Sequence, residues 1–376
     1  MATHYDVIII GAGPAGTTCA RLLARANAKV LLIDKALFPR DKPCGDYISA
    51  RLSTKLQQLD LLPSLKGVSP CYLGDLLFTH PTSGSFNLCR PPLEGFVCKR
   101  FDFDSLLFEA ARKEVDVLEG VAVKKILFDG GRAVGVQADA KTFYATVIVG
   151  ADGANGICAK ALGVETFDEN HNAVALRAYY TNVKDLTDSI ELHFLDEVQP
   201  GYFWIFPLNK QTGEANVGLG MLSRNVRNSN VHLKDLLPRI TQEHPQFKDR
   251  FTEASPLSPI KGWSLPFGSK KRPVVFNGAL LIGDAAGLID PMSGEGIENG
   301  VRSAECAAVA IQKALAANDL SFLKSYQKEL ESLLRAELRR SYWIQKACRS
   351  PTMLKMFFHL LKRSSAGRKI LVNKFF

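Results

Sequence analysis

The stretch Tyr5-Asp6-Val7-Ile8-Ile9-Ile10-Gly11-Ala12-Gly13-Pro14-Ala15-Gly16 runs from apolar residues straight into a glycine turn, and its reading decides the fold. Residues 5–10 have the length and β-branched content of a buried strand, 17–28 read as a helix, and 29–34 as a second strand. That is a βαβ unit of about 30 residues, the opening of a doubly wound sheet. Glycines let such a turn close tightly, let the backbone approach a pyrophosphate, and let the helix pack on the sheet. The helix N-terminus then offers N–H donors to phosphate oxygens. Asp34, 18 residues after Gly16 and followed by Lys35, stands where a carboxylate accepts from a ribose hydroxyl. A tight βα turn with an incidental acid is the bland alternative; the strand–turn–helix context favours dinucleotide binding.

Two later segments extend the ligand. Gly150-Ala151-Asp152-Gly153-Ala154-Asn155 closes one strand, and Gly283-Asp284-Ala285-Ala286-Gly287 closes another and leads through Pro291, Gly294, Glu295 and Gly296 into a helix expected from about Gly296 to Ala316, with Ile297 also expected at the ligand. Each puts an Asp and close-approaching glycines at the carboxyl end of a parallel strand, where open α/β sheets bind ligands. The second offers a carboxylate for a polyol chain and a helix N-terminus for a polar ring edge. Surface turns with acidic caps explain each segment singly, but not all three. Three such sites suit an extended ligand, FAD, better than NAD. No second fingerprint for NADPH is present, so the expected donor is transiently bound NADPH or a reduced electron-carrier protein.

The chain has 376 residues, 46% of them hydrophobic and 23% charged, a globular composition that excludes disorder and fibrous architectures. Its formal charge is +9, yet from Glu331 onward eleven Lys or Arg face two acids, so the tail carries all of it and the first 330 residues are neutral. A nucleic-acid partner is therefore not expected, and a basic tail is the feature to explain. Eight cysteines, at 19, 44, 71, 89, 98, 158, 306 and 348, form no CxxC pair and have no His-rich neighbour, which argues against a structural zinc site or a disulfide scaffold, and no metal is expected. A reducing, cytoplasmic setting and a monomer are expected. With a strand expected from residue 5, no leader is expected, and no apolar run reaches the roughly 18 residues of a spanning helix.

Residues 1–70, 98–172 and 274–320 are expected to form a discontinuous FAD-binding domain, 71–97 and 173–273 a β-rich substrate domain, and 321–376 a basic helical C-terminal region. Within the first, strands are expected near 115–123, 133–137 and 145–149. The fold class is α/β (α+β overall): a Rossmann-like domain with an inserted antiparallel sheet and a helical C-terminus.

The glycine motif, Arg100-x-x-Phe103-Asp104, the Gly-Ala-Asp-Gly segment and Gly-Asp-Ala-Ala-Gly…Pro…Gly-Glu-Gly, in this order, resemble the glutathione-reductase-type FAD fold of aromatic hydroxylases, flavin halogenases and geranylgeranyl reductases. The resemblance covers most of the first 310 residues. Phe38-Pro39-Arg40-Asp41-Lys42-Pro43-Cys44-Gly45-Asp46 is similar to the cysteine-glycine loop of the geranylgeranyl reductases, and Pro200-Gly201-Tyr202-Phe203-Trp204-Ile205-Phe206-Pro207 to their PxxYxWxFP motif. Gln199 stands at that motif's first proline, and Gly156 and Lys160 stand where many relatives have Ser and Arg. Halogenases carry WxWxIP and a different loop; Tyr202, Phe206 and Cys44 set this chain apart from them. The resemblance implies that Cys44, Gly45 and Arg100 also adjoin the cofactor.

Tyr202, Trp204 and Phe206 alternate on one strand face, so three aromatics line one surface, either core packing or the wall of an apolar tunnel beside the flavin. The resemblance favours the tunnel. Cys44 is either a small buried thiol or, in its Pro-Cys-Gly-Asp loop, an active-site group. Gly218-Leu219-Gly220 reads as a closely packed strand, and His193, like the other histidines, shows no pairing in sequence and reads as a surface or core residue.

Ser350-Pro351 reads as a helix start, with Lys355, His359 and Lys362 on one stripe and Met353, Leu354, Met356, Phe357, Phe358, Leu360 and Leu361 over the rest. This helix suits either an anionic membrane surface or packing against the FAD domain with a charged edge. Its cations could also meet a prenyl diphosphate or phospholipid head group. The resemblance implies an FAD-dependent reductase that saturates carbon–carbon double bonds of a prenyl lipid or prenyl diphosphate, hydride coming from flavin N5 and a proton from a nearby acid. Cys44, Tyr202 and Asp46 are the candidate donors, with Trp204 and Phe206 holding the chain. An FAD-dependent monooxygenase and a flavin-binding protein without turnover are the alternatives.

Overall fold

His4–Ile10 is the strand from which the first sheet is organised: it pairs in parallel with Val30–Asp34 on one side and with Lys141–Gly150 on the other. Asp116–Glu119 extends the sheet beyond Val30–Asp34, and Ala279–Leu281 extends it beyond Lys141–Gly150, both in parallel. The strand order therefore reverses at the carboxyl end of the first strand, where Gly11 begins the glycine turn. The computed structural model describes residues 4–61, 71, 72, 74–89, 95–165, 167–229, 232–364, 367 and 368; Lys369 and Lys374 of the basic tail lie outside the described residues.

The expected strand at 115–123 is two strands, Asp116–Glu119 and Val123–Asp129. Gly120, at φ 71, turns the chain between them, a conformation that costs glycine little. Helix Pro14–Arg25 packs against helix Ile297–Ala317, with Ala15 set against Gly283 and Gly300; a Cβ on either glycine would lie 3.1 or 3.4 Å from that of Ala15.

Two compact units emerge: Met1–Arg40, Phe101–His171 and Leu265–Arg340 form one, and Asp41–Arg100, Asn172–Ser264 and Ser341–Phe376 the other. Residues 41–70, assigned from sequence to the FAD-binding domain, thus group with the strand-rich part, and the helical C-terminus is shared at Arg340 and Ser341.

The second unit is built on a sheet ordered Ser255–Pro256, Asn172–Thr181, Glu214–Leu222, Gly201–Asn209, Ser189–His193, Asp75–His80 and Gly84–Cys89. Neighbours are antiparallel except Ser189–His193 with Asp75–His80. One face buries Leu176, Phe203, Ile205, Val217 and Leu219 with helix Leu233–Glu243, whose Leu233, Leu236, Leu237 and Ile240 recur at helical spacing. Pro238 inside that helix hides it from a sequence reading.

The other face carries Arg177 and Tyr179, then Asn216 and Gly218, then Tyr202, Trp204 and Phe206. Helix Pro351–Arg363 buries Leu354, Phe358 and Leu361, and the Phe358 ring stands 5.2 Å from Phe86 and 5.4 Å from Phe194. The helix's apolar stripe thus meets aromatic side chains of the second unit's own sheet. No helix among the described residues is long and apolar enough to cross a membrane.

Candidate active site

In the first unit, the turn after His4–Ile10 is tight because the chain leaves no room for side chains. A Cβ at Gly11 would overlap the Ala151 carbonyl oxygen, and one at Gly16 would overlap the Gly11 carbonyl oxygen. Gly13 differs: the nearest atom to its Cβ position is Nη2 of Arg40 at 3.5 Å. That open position, with a guanidinium over it and an uncapped helix N-terminus at Pro14, fits the pyrophosphate of FAD. Arg40 is held by Asp104 at 2.7 Å and by the Phe38 ring, itself stacked 4.0 Å from Phe108. Nothing in the sequence around Arg40 and Asp104 marks them as phosphate-binding residues.

Asp34 Oδ2 accepts from the Ala12 N–H at 2.7 Å and Oδ1 from the Ala36 N–H at 2.8 Å, so the carboxylate braces both turns and keeps lone pairs for a ribose. Lys35 beside it is exposed. Asp152 turns onto its own loop, accepting from Cys158 N–H at 3.0 Å, while Oδ1 is buried with no partner among the described residues. Burial raises its carboxyl above the ordinary range. Gly156 is required here, since a Cβ would overlap the Asp152 carboxylate; the departure from Ser is thereby explained. Gly153 adopts φ 78 with open space around its Cβ position.

At the third segment Ser303 Oγ accepts from the Gly283 N–H at 3.0 Å, and Gly296 leaves 3.3 Å between its Cβ position and Asp284 Oδ1. The turn Pro291–Gly294 is shaped by Asp290, which the sequence reading missed: it accepts from Met292 and Ser293 N–H at 2.8 and 2.9 Å. Ile297 then starts the helix.

In the second unit the Cys44 loop lies on the aromatic sheet face. Gly45 is needed for Phe206, whose ring would stand 2.8 Å from an added Cβ. Asp46 follows at φ 67, fully buried. Its Oδ2 accepts from Tyr179 Oη at 2.7 Å and from Asn216 Nδ2 at 2.8 Å, while Oδ1 has no partner among the described residues. Asn216 is oriented by Trp204, whose Nε1 donates to Asn216 Oδ1 at 2.9 Å, and by the Cys44 carbonyl, which accepts from Nδ2 at 2.7 Å. Gly218 makes room for Trp204, whose ring a Cβ would overlap.

Burial pushes the Asp46 carboxyl up to about 6, against the hydrogen bonds from Tyr179 and Asn216 and the charges of Arg177 and Arg100. Arg100, expected at the cofactor, hydrogen-bonds Cys44 and puts its charge on Asp46. The Cys44 thiol is raised by burial, and the charge on Arg100 opposes that. Arg177 is 1% exposed, stacks 4.0 Å from the Tyr179 ring and pairs with Asp41, which also binds Lys261 at 2.8 Å. Tyr202, Trp204 and Phe206 form a row with centroids 6.1 Å apart at each step.

Asn216, Tyr179 and Arg177 escaped the sequence reading; their signal was a polar residue at an inward position of an otherwise apolar strand. His193 takes the core place, one of the two readings its sequence allowed. It is buried and paired, Nδ1 with Thr79 Oγ1 at 2.7 Å and Nε2 with Glu191 at 3.1 Å, and Arg250 holds the same Glu191 at 2.6 Å.

Comparison with known proteins gives one family model, described as an FAD binding domain, matching residues 4–341. A menaquinone reductase of Mycobacterium tuberculosis is 33% identical over 317 residues, covering 81% of this chain and 75% of that protein. A digeranylgeranylglycerophospholipid reductase of Thermoplasma volcanium is 27% identical over 355 residues, covering 91% and 87%. The crystal structure of a geranylgeranyl bacteriochlorophyll reductase-like protein from Thermoplasma acidophilum shares the fold, with TM-score 0.86 at 24% identity over 99% of this chain and 96% of that one. The chain belongs to the FAD-binding-domain family and is an FAD-dependent oxidoreductase with geranylgeranyl-reductase-like homologues.

Proposed function

We propose that this protein saturates carbon–carbon double bonds in the prenyl chain of a lipid, with Asp46 as the proton donor. The observation that carries the reading is the Asp46 carboxyl, buried beside the aromatic row and, among the described residues, satisfied on one oxygen only. FAD, when bound and reduced, supplies the hydride equivalent. An isolated alkene accepts hydride poorly, so the protein must hold it close to the donor and provide an acid. Tyr179 and Asn216 both donate to Oδ2, which leaves Oδ1 as the atom that carries the proton. Tyr202, Trp204 and Phe206 offer an apolar wall that grips a branched chain and excludes water. Cys44, with its raised thiol, is a poorer acid near neutral pH than Asp46.

The relatives' names support the substrate class, since menaquinone and digeranylgeranyl glycerophospholipids both bear unsaturated prenyl chains. NADPH or a reduced carrier protein is the proposed electron donor. The test is mass spectrometry of prenyl lipids incubated anaerobically with dithionite-reduced holoenzyme. Products heavier by hydrogen pairs are expected. Unchanged lipids, or oxygenated products formed only with oxygen uptake, would sink the reading, the second in favour of a monooxygenase.

A further inference from the structure

We propose that helix Pro351–Arg363 docks this protein on an anionic lipid bilayer and admits the substrate's prenyl chain from that bilayer into the aromatic row. The second half rests on the proposed function; the first does not.

The helix has two apolar stripes with different fates. Leu354, Phe358 and Leu361 are buried on the sheet. Met353, Met356 and Leu360, at i, i+3 and i+7, stay 44%, 60% and 62% exposed. Lys355, His359 and Arg363 are exposed on the adjoining arc. In the preceding helix Trp343 is 55% exposed, with Lys346 Nζ 4.8 Å from its ring centre. Exposed apolar side chains bordered by cations are the chemistry that anionic headgroups and the acyl boundary recognise. Residues 338–376 contain no Asp or Glu, so a second copy of this surface would bring only like charge.

The link to the site is a chain of rings. Phe358 stands 5.4 Å from Phe194, Phe194 6.0 Å from Tyr202, Tyr202 6.1 Å from Trp204, and Trp204 6.1 Å from Phe206. The row that ends against the Asp46 loop therefore begins under the helix that carries the exposed stripe. A prenyl chain entering beside Phe358 would pass from bilayer to sheet face along apolar contacts.

The experiment is co-sedimentation of the holoenzyme with phosphatidylglycerol/phosphatidylcholine vesicles and with phosphatidylcholine alone, in low and high salt. It compares wild type with the double variant Met356→Glu, Leu360→Glu, both positions being exposed. Wild type is expected to bind the anionic vesicles and lose binding with salt, and the variant to bind about tenfold more weakly. Turnover of a detergent-dispersed prenyl lipid should be the same in both, whereas turnover of the vesicle-embedded lipid should fall in the variant. Docking is overturned if wild type ignores anionic vesicles, if the variant binds as wild type does, or if the substitutions abolish self-association instead. Vesicle binding without prenyl reduction in either dispersal would keep the docking and overturn the admission of substrate together with the proposed function.

Discussion

Asp46 combines three unusual conditions: a left-handed backbone, complete burial, and one carboxyl oxygen without a partner among the described residues. Its titration makes the proposed role measurable. A proton donor must be protonated, so kcat/KM for prenyl reduction should be full below about pH 6 and fall as pH rises through that value. Asp46→Asn should cost roughly 100-fold or more in turnover and flatten the profile, with FAD still bound. The same shift predicts a stability effect. Because the folded chain holds this proton more tightly than the unfolded chain, the contribution favours folding at acid pH and is lost as pH rises through about 6. A change from 3.8 to about 6 is worth on the order of 3 kcal/mol. Thermal melts should therefore show Asp46→Asn gaining on wild type at pH 8 but not at pH 4.

At the scale of elements, glycines of one motif separate into different jobs. Gly16→Ala drives a methyl into the Gly11 carbonyl, so both the fold of the first unit and FAD retention should suffer. Gly13→Ala meets only the tip of Arg40, so the apo-protein should melt near wild type while FAD binding weakens, as flavin fluorescence on dialysis would report. In the second unit Gly218→Ala collides with Trp204 and should cost about 1–3 kcal/mol in urea unfolding. The Glu191 cluster braces two strands from the opposite face. Arg250→Met would leave Glu191 buried without its guanidinium, at a cost of about 3–5 kcal/mol in the same assay.

For the whole molecule, the charge distribution and the C-terminal helix belong together. The +9 lies in the last 46 residues, and the helix there is fastened through Phe358, which is fully buried among Phe86, Phe194 and His80. Phe358→Ala should remove about 3–5 kcal/mol of packing and speed hydrogen exchange in residues 351–363 before it affects the first unit.

What could be read from sequence alone was the cofactor half: a phosphate-binding turn uses contiguous residues, so Gly11 to Gly16 and Asp34 announce the strand, the turn and the ligand together. The aromatic alternation of Tyr202, Trp204 and Phe206 was legible for the same reason, since a strand's period of two is local. The proposed proton site was not. Asp46, Tyr179 and Asn216 are 133 and 170 residues apart, and only the pairing of Asn172–Thr181 with Glu214–Leu222 puts the phenol and the amide side by side. Nor could periodicity say which apolar stripe of the last helix is buried, because both have helical spacing. Tertiary packing decided that, by offering Phe86 and Phe194 to Phe358 and leaving Met353, Met356 and Leu360 outside.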